Sequence, residues 1–261
     1  MFIDAHNHIL DYLEQKQKNA EVFDVEEIFQ VYPEGFQVSF CASSNERERF
    51  YKQKQLCSLL EKSVKPYYSF GIHPQRPQAC ELGFLEELLY RKEISCIGEC
   101  GFDLFNGEYR ATVEAQKEVW ASQVHLAIKY GVPLIIHCRC ALHLIFASSK
   151  DLAKVKAVIF HGYGGSPLEA TSLLKRGVNA YFCIGKALLR GQKSQISMAR
   201  SFDIHRLLTE TDAPYMRLRG EEYTNLSDIQ AVASALAHLR GLDESTLNNI
   251  LVKTFASIFV C

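Results

Sequence analysis

Eight short, apolar, β-type runs recur along the chain, and most of them are followed by a segment with helical periodicity. The runs cover residues 2–4, 36–42, 67–71, 94–98, 133–136, 157–160, 179–184 and 206–210. The helical segments include 46–63, 80–91, 113–130, 166–176 and 227–239. This alternation predicts an α/β fold with parallel strands and crossover helices. The stretch 184–200 has no clear assignment.

The composition of the runs and the residues that follow them favour a barrel. Residues 133–136 are continuously apolar, as expected for a strand that is covered on both faces. An open doubly wound sheet would look similar, but polar residues follow nearly every run, which is typical of a barrel whose active site gathers many strand ends. The length of 261 residues suits one such barrel, and no linker-like stretch divides it. We therefore predict a single (β/α)8 TIM-type barrel, one domain over residues 1–261.

The charge balance restricts the partners. The formal net charge is −1, so an affinity for nucleic acid cannot come from a global positive field and has to be local. This argues against a dedicated sequence-reading DNA-binding protein. The sequence contains no sign of an obligate protein partner.

The cysteines and the N-terminus predict a cytoplasmic protein. Nine cysteines are scattered along the chain, as expected for reduced thiols. Cys138 and Cys140 are too close together for a zinc knuckle, so core packing is the favoured interpretation of that pair. The N-terminus lacks a basic segment followed by an apolar one, and no run approaches the roughly 18 apolar residues of a membrane span. We therefore expect no membrane partner.

Six potential metal ligands lie at the ends of predicted strands. His6 and His8 are two residues apart on an extended backbone, so both imidazoles can face one ion. The ends of later runs add further nitrogen and oxygen donors. The whole set is His6, His8, Glu99, His137, His161 and Asp212. In a barrel these side chains would converge on one mouth. Asp4 lies one pleat deeper on the first strand and is expected to orient a histidine.

The donor set indicates catalysis by metal ions. Imidazole and carboxylate ligands without thiolate suit an open zinc, manganese, iron or magnesium site rather than a closed structural zinc site. Six ligands are too many for one open catalytic ion, whereas two divalent ions bridged by a carboxylate would use them all. Such a pair activates water, so the residues alone predict hydrolysis of a phosphoester or an amide.

Several motifs together resemble the TatD-like deoxyribonuclease family of metal-dependent hydrolases. They run in family order over residues 1–215, with a weaker resemblance after that. The motifs are Ile-Asp-Ala-His-Asn-His at 3–8, Gly-Ile-His-Pro at 71–74, Ile-Gly-Glu-Cys-Gly-Phe-Asp at 97–103, Pro-Leu-Ile-Ile-His-Cys-Arg at 133–139, Phe-His-Gly-Tyr-Gly-Gly at 160–165 and Glu-Thr-Asp-Ala-Pro-Tyr at 210–215.

The resemblance implies a role for each of these residues. One ion would be held by His6, His8 and Asp212, the other by His137 and His161, and Glu99 would bridge the two. Glu99 and Asp212 are thus the predicted catalytic carboxylates, and Asp212 would also orient the attacking water and accept its proton.

The resemblance also implies residues around the ions. His73 and Arg139 would contact a substrate phosphate, and Asp103 would hydrogen-bond a loop or a ligand imidazole. The cofactors would be two divalent ions, Zn, Mg or Mn. The substrate would be DNA or another phosphoester, with exonuclease-like action. Basic residues that could follow a nucleic acid strand near the mouth are few: Arg139, Lys186, Arg190, Arg217 and Arg219.

Three departures from the family pattern leave the substrate open. Cys-Ala-Leu-His follows Arg139, where family members commonly carry an acidic residue, Gly-Tyr-Gly-Gly at 162–165 changes a small polar loop, and residues 252–259 lack an expected asparagine. A small-molecule amidohydrolase or phosphoesterase is therefore the second hypothesis. A non-catalytic scaffold with an inherited barrel is the third, and the presence of all six ligands argues against it.

Overall fold

The computed structural model describes residues 1–17, 31–60 and 64–259, and within them eight strands form one parallel sheet in chain order. The strands are β1 Phe2–Asn7, β2 Val38–Ser44, β3 Val64–Phe70, β4 Cys96–Asp103, β5 Leu134–Arg139, β6 Val158–Phe160, β7 Ala180–Ile184 and β8 Leu207–Thr209. Each overlaps the predicted run of the same rank.

Helices alternate with these strands. They are α1 Ile9–Lys16, α2 Arg47–Leu60, α3 Leu82–Tyr90, α4 Gly107–Ala111, α5 Val113–Tyr130, α6 Leu142–Ala147, α7 Ser149–Leu152, α8 Pro167–Lys175, α9 Lys193–Ser201, α10 Ile229–Arg240 and α11 Glu244–Phe259. The predicted helix 46–63 corresponds to α2, and its residues 61–63 lie outside the described residues. The unassigned stretch 184–200 contains most of α9.

The first and last strands meet and nearly close the barrel. The backbone N–H of Asp212 donates to the carbonyl of His6 at 3.0 Å, and the N–H of His8 donates to the carbonyl of Ala213 at 2.8 Å. These bonds join the segment after β8 to the end of β1. The predicted (β/α)8 barrel is therefore confirmed, and its last junction is made by residues of the predicted metal site.

The helices cover the sheet with apolar faces. In α10 the buried side chains follow the spacing of one helical face. They are Ile229, Val232, Ala233, Leu236 and Ala237. The helix α8 begins with a capping box, in which the Ser166 hydroxyl accepts from the N–H of Glu169 and the Glu169 carboxylate accepts from the N–H of Ser166. Local signals and burial thus agree on where this helix begins.

Within the described ranges, none of the helices combines the length and the apolar character that crossing a lipid bilayer requires.

Candidate metal centre

Strands β1 and β8 bring three ligands together at the carboxyl end of the barrel. His6 lies on β1 and His8 just after it, and their Nε2 atoms are 3.2 Å apart. Asp212 follows β8, and its Oδ1 atom lies 3.5 Å from Nε2 of His6 and 3.6 Å from Nε2 of His8. The bond from the Asp212 backbone to His6 holds this carboxylate beside the two imidazoles.

The carboxylate of Glu99 lies between two groups of imidazoles, and each of its oxygens faces one group. Oε2 is 3.0 Å from Nε2 of His8 and 3.5 Å from Nε2 of His6. Oε1 is 2.8 Å from Nε2 of His161 and 3.4 Å from Nδ1 of His137. The structure therefore brings all six predicted ligands into one cluster around Glu99.

The donor atoms fit divalent cations. Nitrogen and oxygen ligands of one zinc ion lie about 2.0–2.2 Å from it, which puts them roughly 3–3.5 Å from one another. The two histidine pairs have this spacing, since Nδ1 of His137 lies 3.2 Å from Nε2 of His161 and the Nε2 atoms of His6 and His8 are equally close. Three overlapping sets of residues each place their donor atoms within 4.8 Å of one another. The sets are His6–His8–Asp212, His6–Glu99–His161 and His73–Glu99–His137.

Two glycines let strand β4 approach its neighbour closely enough to hold Glu99 in place. A Cβ atom on Gly98 would lie 2.6 Å from Cβ of Ile135, and one on Gly101 would lie 2.2 Å from the carbonyl oxygen of His137. Any larger residue would push β4 away from β5. The close packing of β4 against β5 therefore requires a glycine both before and after Glu99 in the Gly-Glu-Cys-Gly sequence.

Asp103 fixes the imidazole of His137 from the side opposite Glu99. Its Oδ2 atom lies 3.1 Å from Nε2 of His137 and accepts a second hydrogen bond from the side chain of Gln75 at 2.8 Å. Burial alone would raise the pKa of Asp103, but the hydrogen bonds from His137, Gln75 and the Phe105 backbone lower it to about 2. An ionised carboxylate only accepts, so Nε2 carries the proton and Nδ1 has its lone pair free for a metal.

The clustered charges shift one another's pKa values. Burial would raise the pKa of Glu99, yet the neighbouring imidazoles, first His161 and then His6, lower it well below its usual range. Burial lowers the pKa of His6 to about 3, so this ring is neutral, as a ligand must be. Burial also opposes protonation of His8 and His161, but Glu99 raises their pKa values to about 9 and about 10. Divalent cations in this cluster would take the place of those protons.

Asp4 is expected to orient a histidine, but its carboxylate does not contact a histidine ring. Its carboxylate accepts hydrogen bonds from the Asn7 side chain at 3.0 Å and from the backbone and hydroxyl of Thr211 at 2.8 and 2.7 Å. Burial raises its pKa to about 7 despite these bonds. Asp4 therefore holds the residue before Asp212 and acts on the ligand set through the backbone.

The predicted substrate contacts line a large open cleft above the ligands. The cleft has a cavity volume of about 1360 Å³, and His73 and Arg139 are both on its wall. Nε2 of His73 lies 3.7 Å from Oε1 of Glu99, and its Nδ1 accepts the backbone N–H of Gln75 at 3.2 Å. The neutral His73 ring therefore points its N–H toward the Glu99 carboxylate.

The cleft contains few free cations. Arg49 pairs with Asp11 and Glu14, and Arg76 pairs with Glu46. For Arg139 and Arg190, which also line the cleft, no carboxylate partner occurs among residues 1–17, 31–60 and 64–259.

Lys186 does not belong to this surface, contrary to its interpretation as a basic residue near the mouth. It is 1% exposed, and its Nζ lies 2.6 Å from both Glu221 and Asp228.

A parallel barrel with His, Glu and Asp side chains clustered at its carboxyl end defines the class of metal-dependent hydrolases. The chain belongs to the TatD related DNase family, whose sequence profile matches residues 3–260. The predicted resemblance is therefore confirmed.

Individual relatives are distant and cover most of the chain. The 3'-5' ssDNA/RNA exonuclease TatD of Enterobacter lignolyticus is 26% identical over 212 residues, which are 76% of this chain and 79% of that protein. An uncharacterized metal-dependent hydrolase of Methanocaldococcus jannaschii is 24% identical over 267 residues, 99% of this chain and 96% of that protein. The crystal structure of YJJV, a TatD homologue of Escherichia coli, has a TM-score of 0.81 at 23% identity and covers 100% of this chain and 98% of that one.

Proposed function

We propose that this chain is a two-metal phosphodiesterase that removes nucleotides from DNA strands in an exonuclease-like manner. The observation that carries the proposal is the division of the Glu99 carboxylate, with Oε2 near His6 and His8 and Oε1 near His137 and His161. A carboxylate with one oxygen near each of two groups of imidazoles is the arrangement that a pair of cations needs.

The ligands divide into two sets under this proposal. His6, His8 and Asp212 would hold one ion, His137 and His161 would hold the other, and Glu99 would contribute to both. When bound, such a pair polarises the oxygens of the scissile phosphate and lowers the pKa of water that attacks it. Zinc, magnesium and manganese all accept this mixture of nitrogen and oxygen donors.

Asp212 is the proposed general base. Its carboxylate is nearly buried and lies within 3.6 Å of two ligand imidazoles, so it faces the place where the nucleophile has to be generated. Accepting a proton there requires a positioned carboxylate within hydrogen-bond reach of the attacking water, which this location supplies.

The substrate class rests on the cleft and on the named relatives. His73 presents an N–H next to Glu99, and Arg139 offers a guanidinium without a carboxylate partner among the described residues. Both suit a phosphate oxygen. The Enterobacter lignolyticus relative is named as an exonuclease of single-stranded DNA and RNA, which favours a polynucleotide as the substrate.

The direct test combines metal analysis with an oligonucleotide assay. We expect the freshly purified protein to contain divalent metal and to release nucleotides from a labelled oligonucleotide. Chelator treatment should abolish the release, and Mg²⁺, Mn²⁺ or Zn²⁺ should restore it. Turnover that continues in chelator would refute the metal mechanism, and inertness toward DNA with the metal present would refute the nuclease proposal.

A small-molecule ester is the second candidate substrate. The pairing of Arg49 and Arg76 with carboxylates leaves little positive charge along the cleft, which suits a compact substrate better than a long polyanion. Turnover of small phosphate or carboxylate esters by a metal-loaded protein that leaves DNA intact would favour this candidate.

We also infer that residues 1–261 form one domain, because α11 near the end of the chain packs against β1 and β8. The cytoplasmic location stays a prediction.

A further inference from the structure

Phe105 is an exposed aromatic residue at the catalytic end of the barrel. It lies two residues beyond the end of β4, and 53% of its surface is exposed. A single exposed phenylalanine is ordinary on a protein surface and carries no argument alone. Its contacts with Arg139 and Asp103 distinguish it from other exposed aromatic residues.

The guanidinium of Arg139 lies over the ring of Phe105. The Cζ atom of Arg139 is 3.5 Å from the centroid of the Phe105 ring. The adjoining backbone is fixed as well, since the N–H of Leu104 donates to the carbonyl of Arg139 at 2.9 Å. Arg139 lines the cleft of the proposed active site, and Phe105 lies next to it at the rim.

The same pair is tied to the metal centre through one carboxylate. Oδ1 of Asp103 accepts the backbone N–H of Phe105 at 2.9 Å, while Oδ2 contacts Nε2 of His137 at 3.1 Å. His137 and Arg139 are two residues apart on β5 and therefore project from the same side of the strand. The ring of Phe105 thus keeps a fixed position relative to a proposed ligand.

We propose that Phe105 and Arg139 form a stacking site for a nucleobase of the strand whose phosphate is cleaved. This inference rests on the proposed nuclease function and adds a substrate-binding residue to it. Aromatic rings and guanidinium planes both stack on unpaired bases. The N–H edge of Arg139 stays in the plane of the guanidinium, so it can contact a phosphate while its face is stacked.

The stacking site has a consequence for the kind of strand that binds. A base inside a duplex already has both faces covered and cannot stack on a protein side chain without being extruded. The Phe105–Arg139 pair therefore favours single-stranded ends over duplex. Because phenylalanine has no hydrogen-bonding group, the contact selects for a base without reading its identity.

The test compares Phe105→Ala with the wild type on two single-stranded oligonucleotides, one normal and one with an abasic residue at the cleaved end. We expect the substitution to raise KM about tenfold on the normal oligonucleotide with little change in kcat. The wild type should show a similar rise on the abasic oligonucleotide, and the variant should show no further rise there. Phe105→Trp should restore the normal KM, whereas Phe105→Leu should not.

A matched control is available in Tyr90, which is 79% exposed and ends α3 at the opposite end of the barrel. Tyr90→Ala should leave KM on both oligonucleotides unchanged. An equal effect of Phe105→Ala on both oligonucleotides, or no effect on either, would overturn the stacking site.

A binding measurement separates this inference from the nuclease proposal. An oligonucleotide with 2-aminopurine at its end is mixed with the metal-loaded protein in a stopped-flow cell, and its fluorescence is read on binding, before turnover. Quenching by the wild type that is lost in Phe105→Ala and regained in Phe105→Trp supports the stacking site even if the protein cleaves no DNA. Absence of quenching by the wild type refutes the stacking site, whatever the nuclease assay shows.

Discussion

Asp103 and His137 form a partly buried hydrogen bond of 3.1 Å, on the side of the imidazole that faces away from the Glu99 carboxylate. The bond fixes which ring nitrogen carries the proton and how the ring is turned. A ligand histidine that lacks such a partner can rotate and change its tautomer, which weakens metal binding. The Asp103 carboxylate, which also accepts from Gln75 and Phe105, is therefore part of the metal site without touching an ion.

The substitution Asp103→Asn should lower metal affinity about 10- to 100-fold. Asparagine replaces one acceptor oxygen with an NH₂ group, so the bonds from His137, Gln75 and the Phe105 backbone cannot all be kept. Competitive titration with a metal-sensitive dye measures the change. Asp151→Asn is the control, because Asp151 is an exposed residue paired with Lys154 on the surface. Equal affinity in the Asp103 and Asp151 variants would contradict the assigned role.

The substitution Glu99→Gln should remove most of the bound metal from both proposed positions. The amide keeps the size of the side chain but supplies one oxygen and no charge, whereas the carboxylate has one oxygen near each histidine pair. Elemental analysis of purified protein measures the content. Loss of only one ion, with the other retained at wild-type affinity, would show that Glu99 does not bridge.

The order and the number of strands could be predicted from the sequence, but their ends could not. The predicted run stops at 98, whereas β4 continues through Glu99 to Asp103. The extension is held by pairing with β5, in which Gly101 lies opposite His137 and Asp103 opposite Arg139. Glu99, Gly101 and Asp103 interrupt the apolar pattern, although Cys100 and Phe102 between them are buried, and pairing with β5 keeps the segment extended. Three predicted ligands, His6, Glu99 and His137, lie within strands rather than after them.

The six ligands could be predicted because each follows or ends an apolar run and because the family motifs contain them. Contacts between distant loops left no such signal. Nothing in the sequence around Phe105 indicates that Arg139 covers its ring, and nothing around Lys186 indicates burial between two carboxylates. Such pairings depend on how the loops after β4 to β8 fold over the barrel. They can therefore be identified only from the three-dimensional structure.

The substitution Asp212→Asn should reduce kcat at least about 100-fold while leaving the fold intact. Asparagine cannot accept the proton and is a weaker ligand. It tolerates the positive φ of 54° at this position and keeps the backbone N–H that donates to His6, so the junction of β8 and β1 should survive. Oligonucleotide turnover and thermal unfolding are measured on the same preparation. Full activity in this variant would remove Asp212 from the mechanism.

The substitution Lys186→Met should lower the free energy of unfolding by about 2 kcal/mol. Removing one partner of a fully buried pair costs about 3–5 kcal/mol, but Glu221 and Asp228 are partly exposed and can be rehydrated, which reduces the loss. Urea unfolding at neutral pH measures the difference between wild type and variant.

The pH dependence of that difference provides the check. Burial would raise the pKa of Glu221, but the hydrogen bond from Lys186 lowers it below its ordinary value. A folded-state pKa below the unfolded one stabilises the protein above the unfolded pKa, and this stabilisation is lost as the pH falls through the folded pKa. The difference in free energy of unfolding between wild type and Lys186→Met should therefore become smaller in acid. A gap that stays constant or widens would show that lost packing, not lost charge, causes the effect.

The substitution Gly98→Ala should destabilise the barrel by about 1–3 kcal/mol and lower metal content together. The added methyl group would lie 2.6 Å from Cβ of Ile135 and 2.9 Å from its carbonyl oxygen, so β4 has to move away from β5 and take Glu99 with it. The control is Gly83→Ala in helix α3, where a Cβ atom would meet nothing within 4 Å. That change should leave metal content unaltered and raise stability by about 0.5–1 kcal/mol, because alanine favours the helix. If both alanine variants keep full metal content, the close contact of β4 with β5 does not position the bridging glutamate.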